Sequence, residues 1–332
     1  MLECQYIAEN ADPLSSAVKE LFGLSYLFPY QRLVVANILE AAQASGIRIC
    51  WPGETGEPET EIAAGSDREG GGRQIVILPT GAGKSLCFQL PAMLLEGPTL
   101  VIYPILGLMA DQERRLEERG FSPVVLRGGQ TKEERELIWE KLRTGASRFV
   151  IANPEVLLTP AVMARIKEMN IVHVVIDEAH CVSEWGETFR PSYLEIGKII
   201  EASGAPMVTA FTATAGATVL EKIEKHIFNG CGAQKIVGNP DRKNISYAAK
   251  GCILRNLAVR DLLPALYRPA IVFCSSRPGT ENLARYLRNA EPHLPWQREV
   301  RFYHAGLSRE EKKETEDWFL RSGEAVLVAT CA

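Results

Sequence analysis

The stretch IVILPTGAGKSLCFQL, Ile75 to Leu90, decides the fold. A short apolar run ends at Pro79 and Thr80, turns through Gly81 and Gly83, and resumes as a helical run after Lys84 and Ser85. The two glycines let the backbone approach a bulky anion closely. A helix that begins here offers free N–H groups and the positive end of its dipole. Lys84 adds a point charge, and Ser85 a hydroxyl suited to Mg²⁺. The segment Thr80, Gly81, Ala82, Gly83, Lys84, Ser85 therefore reads as a phosphate cradle. A glycine-rich turn with an incidental lysine is the plainer alternative; the strand before and the helix after weigh against it. Leu78 stands where the strict G-x-x-x-x-G-K-[ST] pattern has its first glycine.

Beyond this stretch, short apolar runs alternate with amphipathic ones. The runs are TLVIY (99–103), VVL (124–126), FVIA (149–152), VVI (174–176) and MVTAF (207–211), separated by stretches such as LMADQERRLEER and KEERELIWEKLR. Near-continuous apolar runs suit strands covered on both faces, and their alternation with helices predicts a mostly parallel α/β sheet. Residues 13–45 read as helical, with a break at Leu27-Phe28-Pro29-Tyr30. The Gly-, Pro- and Glu-rich segment 51–73 is expected to be a mobile loop. A pause near 238–247 reads as a linker between a first unit, 1–237, and a second, 248–332. The second restarts with AIVFCSS (270–276), VRFYH (300–304) and AVLVAT (325–330). Three strands are few for a sheet, so an interruption is expected at the end.

IVHVVIDEAH, 171–180, puts Asp177 and Glu178 at the end of a buried strand. Strand carboxyl ends are where such sheets bind ligands. Asp177 would hold Mg²⁺ and Glu178 would orient water. An acid pair that merely caps a helix is the alternative, and the phosphate loop upstream favours hydrolysis of a nucleoside triphosphate.

The 332 residues are 46% hydrophobic and 23% charged, with a formal charge of −4. This is a soluble, two-domain composition, with no apolar run of membrane-span length and no secretory leader. The expected location is cytoplasmic, nucleoid-associated in a bacterium or nuclear in a eukaryote. The charge provides no global positive field, so nucleic acid would need a local groove. The cysteines, Cys4, Cys50, Cys87, Cys181, Cys231, Cys252, Cys274 and Cys331, form no C-x-x-C pair. They read as reduced thiols, and no zinc site is expected.

With LPTGAGKS and DEAHCVSEWGETFRPSY both read, the chain resembles a superfamily 2 DNA helicase of the RecQ family over roughly residues 20–332. The resemblance implies two RecA-like lobes of P-loop NTPase type, the second incomplete, with ATP and Mg²⁺ between them. It implies an ATP-dependent 3′-to-5′ DNA helicase acting on single-stranded and forked DNA, in repair or recombination. LFPYQ (27–31) resembles the motif in which Gln31 would read the adenine edge. VIYPILGLMADQ (101–112), with Pro104, Asp111 and Gln112, resembles a segment that touches the strand, as does IANPEVL (151–157). FTATA (211–215) resembles the motif whose Thr212 and Thr214 link hydrolysis to movement. In the second unit IVFCSSR and FYHAGL match motifs whose Ser275, Arg277 and His304 touch the strand. The segment after DEAH looks like an aromatic-rich loop. There Trp185 and Phe189 would sense DNA, Arg190 would relay the contact, and His180 would couple the lobes. Stacking and cation–π chemistry suit that role; the alternative makes Trp185 and Phe189 core.

The chain departs from the family at Glu184, usually Gln, and at Glu187-Thr188, usually His-Asp. An extra carboxylate near DNA phosphates predicts weaker binding or altered coupling. VLVATCA (326–332) resembles the start of a motif whose continuation, and the arginines after it, the resemblance would require. Residues 1–332 alone are therefore expected to bind ATP weakly and turn it over poorly. Two rival functions stay open. One is a DNA translocase serving a repair, defence or DNA-modification assembly without unwinding. The other is a non-enzymatic DNA-binding regulator. Elsewhere, RGGQTKEER (127–135) reads as a turn and helix cap, with an approach of its glycine pair to the strand's backbone as the alternative, and His173, His226 and His293 read as ordinary residues.

Overall fold

The computed structural model describes residues 12–53, 71–186, 189–239, 244–290 and 295–330. The chain divides into two compact units, Met1–Lys243 and Asn244–Ala332. Most of the expected mobile loop (54–70), Glu187, Thr188, His293 and part of the expected linker (240–243) lie outside the described residues.

The first unit opens with helices α1 (Pro13–Phe22) and α2 (Pro29–Ala44). Strands β1 (Arg73–Ile77), β2 (Thr99–Ile102), β3 (Val124–Leu126), β4 (Phe149–Ala152), β5 (His173–Ile176), β6 (Met207–Thr212) and β7 (Gln234–Val237) follow. Between them run α3 (Lys84–Leu94), α4 (Leu106–Glu117), α5 (Lys132–Arg143), α6 (Pro154–Leu157), α7 (Pro160–Ile166), α8 (Cys181–Glu184), α9 (Ile196–Ser203) and α10 (Ala217–His226). The strands form one parallel sheet in the order β3-β4-β2-β5-β6-β1-β7.

Alternate strand residues feed two cores. Ile75, Leu100, Ile102, Val174, Ile176, Val208 and Ala210 enter one cluster; Val76, Val101, Val175, Met207 and Phe211 enter the other. Successive strand side chains point to opposite faces, so a sheet covered on both sides needs unbroken apolar runs. Each fully buried Ile, Leu or Val contributes about 1.5–3 kcal/mol. Strand β7 was not anticipated. Of its residues only Ile236 is buried, and Val237 is 66% exposed; an edge strand needs little apolar pattern. Thr131 caps α5, its hydroxyl accepting from the Glu134 N–H while Glu134 accepts from the Thr131 N–H. The turn-and-cap reading of 127–135 therefore holds for the structure.

The register aligns the strand ends. Ile77 pairs with Thr212, Ala210 with Ile176, and Ile176 with Ile102. The loops after β1, β2, β5 and β6 thus leave the sheet at one edge, its carboxyl end.

In the second unit β8 (Ala270–Cys274), β9 (Val300–Tyr303) and β10 (Val326–Thr330) form a parallel sheet in the order β8-β10-β9. Its helices are α11 (Arg255–Leu262), α12 (Arg277–Ala290) and α13 (Arg309–Arg321). Leu283, Ala284 and Leu287 of α12 pack on Val300, Val326 and Val328. Ile271 and Phe273 of β8 point away from that core and are 47% and 64% exposed.

Candidate functional site

The glycine-rich loop leaves β1 after Leu78, and α3 begins at Lys84. Gly81 and Gly83 both have positive φ, 82° and 74°, a region closed to most side chains. At Gly83 there is a second constraint: an added Cβ would lie 2.5 Å from Gln31 Nε2. Gln31 is buried against the loop. Its Nε2 donates to the carbonyls of Ala82 (3.1 Å) and Gly83 (3.5 Å), and its Oε1 accepts from the Phe28 N–H (2.9 Å). The Tyr30 hydroxyl donates to the same Ala82 carbonyl at 3.2 Å. Lys84 Nζ donates to the Leu78 carbonyl across the loop at 3.3 Å. Thr80 and Gly81 are exposed; Ala82 and Ser85 are half-buried.

Two strands away, β5 delivers Asp177 and Glu178. Burial, then the Glu178 carboxylate, push Asp177 up to about 6, while the Glu178 N–H on Oδ1 (3.0 Å) and the charge of Lys84 pull the other way. Lys84 and Asp177 therefore act on each other across the sheet end. Glu178 has φ 50°, an uncommon conformation for a residue with a side chain. Such strain costs of order 1 kcal/mol and concentrates at working sites. The turn brings Glu178 Oε2 within 3.3 Å of His180 Nδ1, which also lies 3.2 Å from Thr212 Oγ1 on the intervening strand β6. The Thr212 hydroxyl donates to the Thr214 carbonyl at 2.8 Å. Loop, acids and threonines, spread between residues 80 and 214 of the chain, are thus brought to one sheet end.

The segment after the acids splits in character. Phe189 is 67% exposed. Trp185 is only half-buried and packs on the core edge-on to Tyr193, with ring centroids 6.1 Å apart. Each of the two readings of the aromatics thus describes one of them. Gly186 has no room for a Cβ, which would meet Leu194 Cδ2 and the Val182 carbonyl at 2.6 Å. The Arg190 guanidinium lies 5.7 Å from the Trp185 ring centroid and 5.6 Å from that of Phe189. It also donates to the Pro104 carbonyl and sits 3.8 Å from Glu155. Glu155 is the partner the sequence reading missed; its only signal was its place in IANPEVL. Glu155 also accepts from Ser192 at 2.9 Å. Three segments expected to meet the strand therefore converge on Arg190.

Some expected contacts differ. Gln112 is buried (8% exposed) and accepts from Gln89 at 3.1 Å, so it faces the interior and not a strand. A helix buries one stripe, and position 112 falls on it with Met109 and Leu116. Pro104 is buried and offers its carbonyl to Arg190. Asp111 is held by Arg114 (2.7 Å) and Arg115 (2.8 Å), which lower its pKa against the opposing effect of burial.

The DEAD/DEAH box helicase family profile matches residues 60–223, which span the loop, the acid pair and Thr212–Thr214. The ATP-dependent DNA helicase RecQ of Pasteurella multocida is 35% identical over 260 residues, covering 78% of this chain and 40% of that protein. The probable ATP-dependent DNA helicase RecS of Bacillus subtilis is 32% identical over 262 residues, with 78% and 51% covered. The human ATP-dependent DNA helicase Q4 is 30% identical over 284 residues, with 78% and 23% covered.

The chain carries a DEAD/DEAH box helicase domain, and the relatives it matches at 30–35% identity over 78% of its length are RecQ-family helicases. It spans about 40% of the length of the first RecQ relative it matches. Among solved structures, the DUF1998 helicase MrfA bound to DNA shares the fold over 96% of this chain and 44% of its own, with TM-score 0.63 and 18% identity. The Lhr helicase of Mycobacterium smegmatis, bound to ssDNA and AMP-PNP, covers 96% and 42%, with TM-score 0.57 and 21% identity. These likenesses show the RecA-like helicase fold. No helix among the described residues is long and apolar enough to cross a membrane.

In the second unit Ser275 and Arg277 are exposed where β8 runs into α12. His304 is not available in the same way. It is 5% exposed, its Nε2 lies 3.0 Å from Glu281 Oε1, and its Nδ1 accepts from the Gly306 N–H at 3.1 Å. It braces the turn after β9, a tertiary pairing with α12 that the motif alone does not reveal.

Proposed function

We propose that this chain hydrolyses ATP on the loop Thr80–Ser85 and couples that hydrolysis to 3′-to-5′ movement on single-stranded DNA and the unwinding of forked duplex. The observation that carries the reading is the convergence of Lys84, Asp177, Glu178, His180 and Thr212 at one sheet end, with the exposed Phe189 and the half-buried Arg190 on the segment that follows the acids. The loop amides and Lys84 would bind the β- and γ-phosphates, and Glu178 would orient the attacking water. His180 is in contact with both Glu178 and Thr212, so a shift on the strand side reaches the water-orienting carboxylate through one residue.

The donor set fits a divalent cation. Asp177 carries a carboxylate whose pKa is held near 6 by burial, with a single neighbouring N–H on Oδ1; a cation would stabilise its ionised form. Ser85 and Asp177 would hold Mg²⁺, which supplies charge neutralisation on the phosphate oxygens. Arg190 would carry the DNA signal, because its guanidinium touches the aromatic loop, Pro104 and Glu155 together.

The test is ATP turnover with and without single-stranded DNA, beside displacement of a labelled strand from a fork. Lys84→Ala is expected to lower turnover at least about 100-fold, the usual scale for losing a phosphate-stabilising charge. Turnover that survives Lys84→Ala would refute the assignment. Turnover without displacement would make the chain a translocase.

A further inference from the structure

Resting on the nucleotide and DNA reading above, we propose that the buried amide pair Gln89–Gln112 is the link through which α4 positions α3, the helix that opens on Lys84. Gln112 then serves the coupling of DNA to nucleotide without touching the strand.

Gln89 lies one and a half turns along α3, about 7.5 Å from Lys84 at the helical rise. Gln112 sits in the middle of α4. Both residues are buried, and Gln89 Nε2 donates to Gln112 Oε1 at 3.1 Å. Arg119, just past the end of α4, fixes the direction of that bond. A guanidinium has donors only, so its contact at 3.2 Å must be with the Gln89 oxygen, and the Gln89 N–H groups are left to face Gln112. The Arg119 guanidinium is itself held 5.5 Å from the Phe22 ring centroid, and Phe22 leans on Phe121 at 5.6 Å. Helix α4 and the turn after it thus grip Gln89 by both its amide oxygen and its amide nitrogen.

The core around the pair is apolar: Phe88, Leu90 and Leu94 of α3 and Met109 and Leu116 of α4 belong to one cluster. Two leucines would fill the space without the cost of burying two amides. What the amides add is direction. A hydrogen bond loses its strength within a few tenths of an ångström, so it fixes the offset of the two helices more closely than apolar contact does. At its other end α4 begins two residues past Pro104, whose carbonyl accepts from Arg190 in the segment expected to sense DNA. A displacement of Arg190 therefore pulls on the root of α4. The amide pair passes that shift to the helix whose first residue is Lys84.

The affinity of the 332-residue chain for a fluorescent, non-hydrolysable ATP analogue, with and without saturating oligo-dT, tests this without requiring turnover. Oligo-dT is expected to change that affinity at least about fivefold, the lower end of coupling between two sites. Gln112→Leu, Gln89→Leu and the double variant should each cut the change to less than about twofold, the scatter of uncoupled sites. The analogue without DNA, and oligo-dT without nucleotide, should bind each variant within about twofold of the parent. Replacing both amides leaves neither one orphaned in the core, so the double variant should melt within a few degrees of the parent. Gln112→Met, matched in length but lacking the amide, takes the place of any variant that fails to fold. Coupling retained in the double variant would overturn the proposal and reduce the pair to packing. Weaker oligo-dT binding by Gln112→Leu would overturn it too, because Gln112 would then touch the strand. So would a parent chain that binds both ligands with no coupling between them. If the parent fails to bind the analogue, or to bind oligo-dT, the nucleotide or the DNA reading itself falls and takes this inference with it.

Discussion

Gln31 and Gly83 illustrate what single residues contribute: the glycine lacks a Cβ where the glutamine amide needs to lie, and the amide holds the loop the glycine shapes. At this scale two carboxylates carry predictions. Glu184 Oε2 lies 3.9 Å from His180 Nε2, and its side chain is 57% exposed, in the segment expected to face DNA. Glu184→Gln removes a charge that repels phosphates. DNA-stimulated turnover is expected to rise about two- to fivefold, the effect of a screened surface charge of 1 kcal/mol or less. Turnover unchanged across a titration with oligo-dT would contradict this. Glu155 should act in the opposite sense. Its loss leaves Arg190 and Ser192 without their carboxylate partner, so Glu155→Ala should weaken DNA stimulation several-fold, about 1 kcal/mol of lost positioning. Turnover in the absence of DNA should stay near the parental rate, and an equal fall in both rates would point to a general structural role. The identities of the loop and acid-pair residues were legible in the sequence. The Glu155–Arg190 pairing was not, because it joins residues 35 positions apart through a tertiary contact.

Among the elements, β5 carries an unusual burden. His173 at its start is fully buried between strands, with Nε2 2.9 Å from Thr209 Oγ1 and Nδ1 without a partner. Burial lowers its pKa to about 3. The unfolded chain would titrate near the ordinary 6.5. Below that pH the unfolded state binds a proton that the folded state refuses, so stability falls as pH drops from about 6.5 towards 3, by at most about 1.4 kcal/mol per unit. Urea titrations at pH 7.5 and 5.5 should therefore show a loss of about 1 kcal/mol that His173→Val does not share. Equal losses in both proteins would rule out His173 as the source. The strand itself was readable from VVI, since residues buried on both faces must all be apolar. The histidine read as ordinary, because nothing local to it says that the sheet closes over its ring.

Over the whole molecule, the two units differ in how well they are covered. The first sheet feeds a core on each face. The second has one compact cluster and leaves Ile271, Phe273 and Tyr267 exposed at 47%, 64% and 99%. Less burial means less stability. Hydrogen exchange in rising urea should release peptides from 270–330 before those from 99–212; simultaneous release would make the chain one cooperative body. Order along the chain was legible for the strands β1–β6 and β8–β10, the pause near 240, and the places of the glycine loop and the acid pair at strand ends, all of which follow from patterns that act within a few residues. Periodicity records which faces are buried, and glycine and charge record what the backbone must approach. The sheet order β3-β4-β2-β5-β6-β1-β7 was decided only by the tertiary structure, as were the marginal strand β7, the burial of Gln112 and His304, the closure of Gln31 on the loop and the meeting of three segments at Arg190. Each depends on which distant surface covers a residue, and a pattern confined to neighbours along the chain carries no record of that partner.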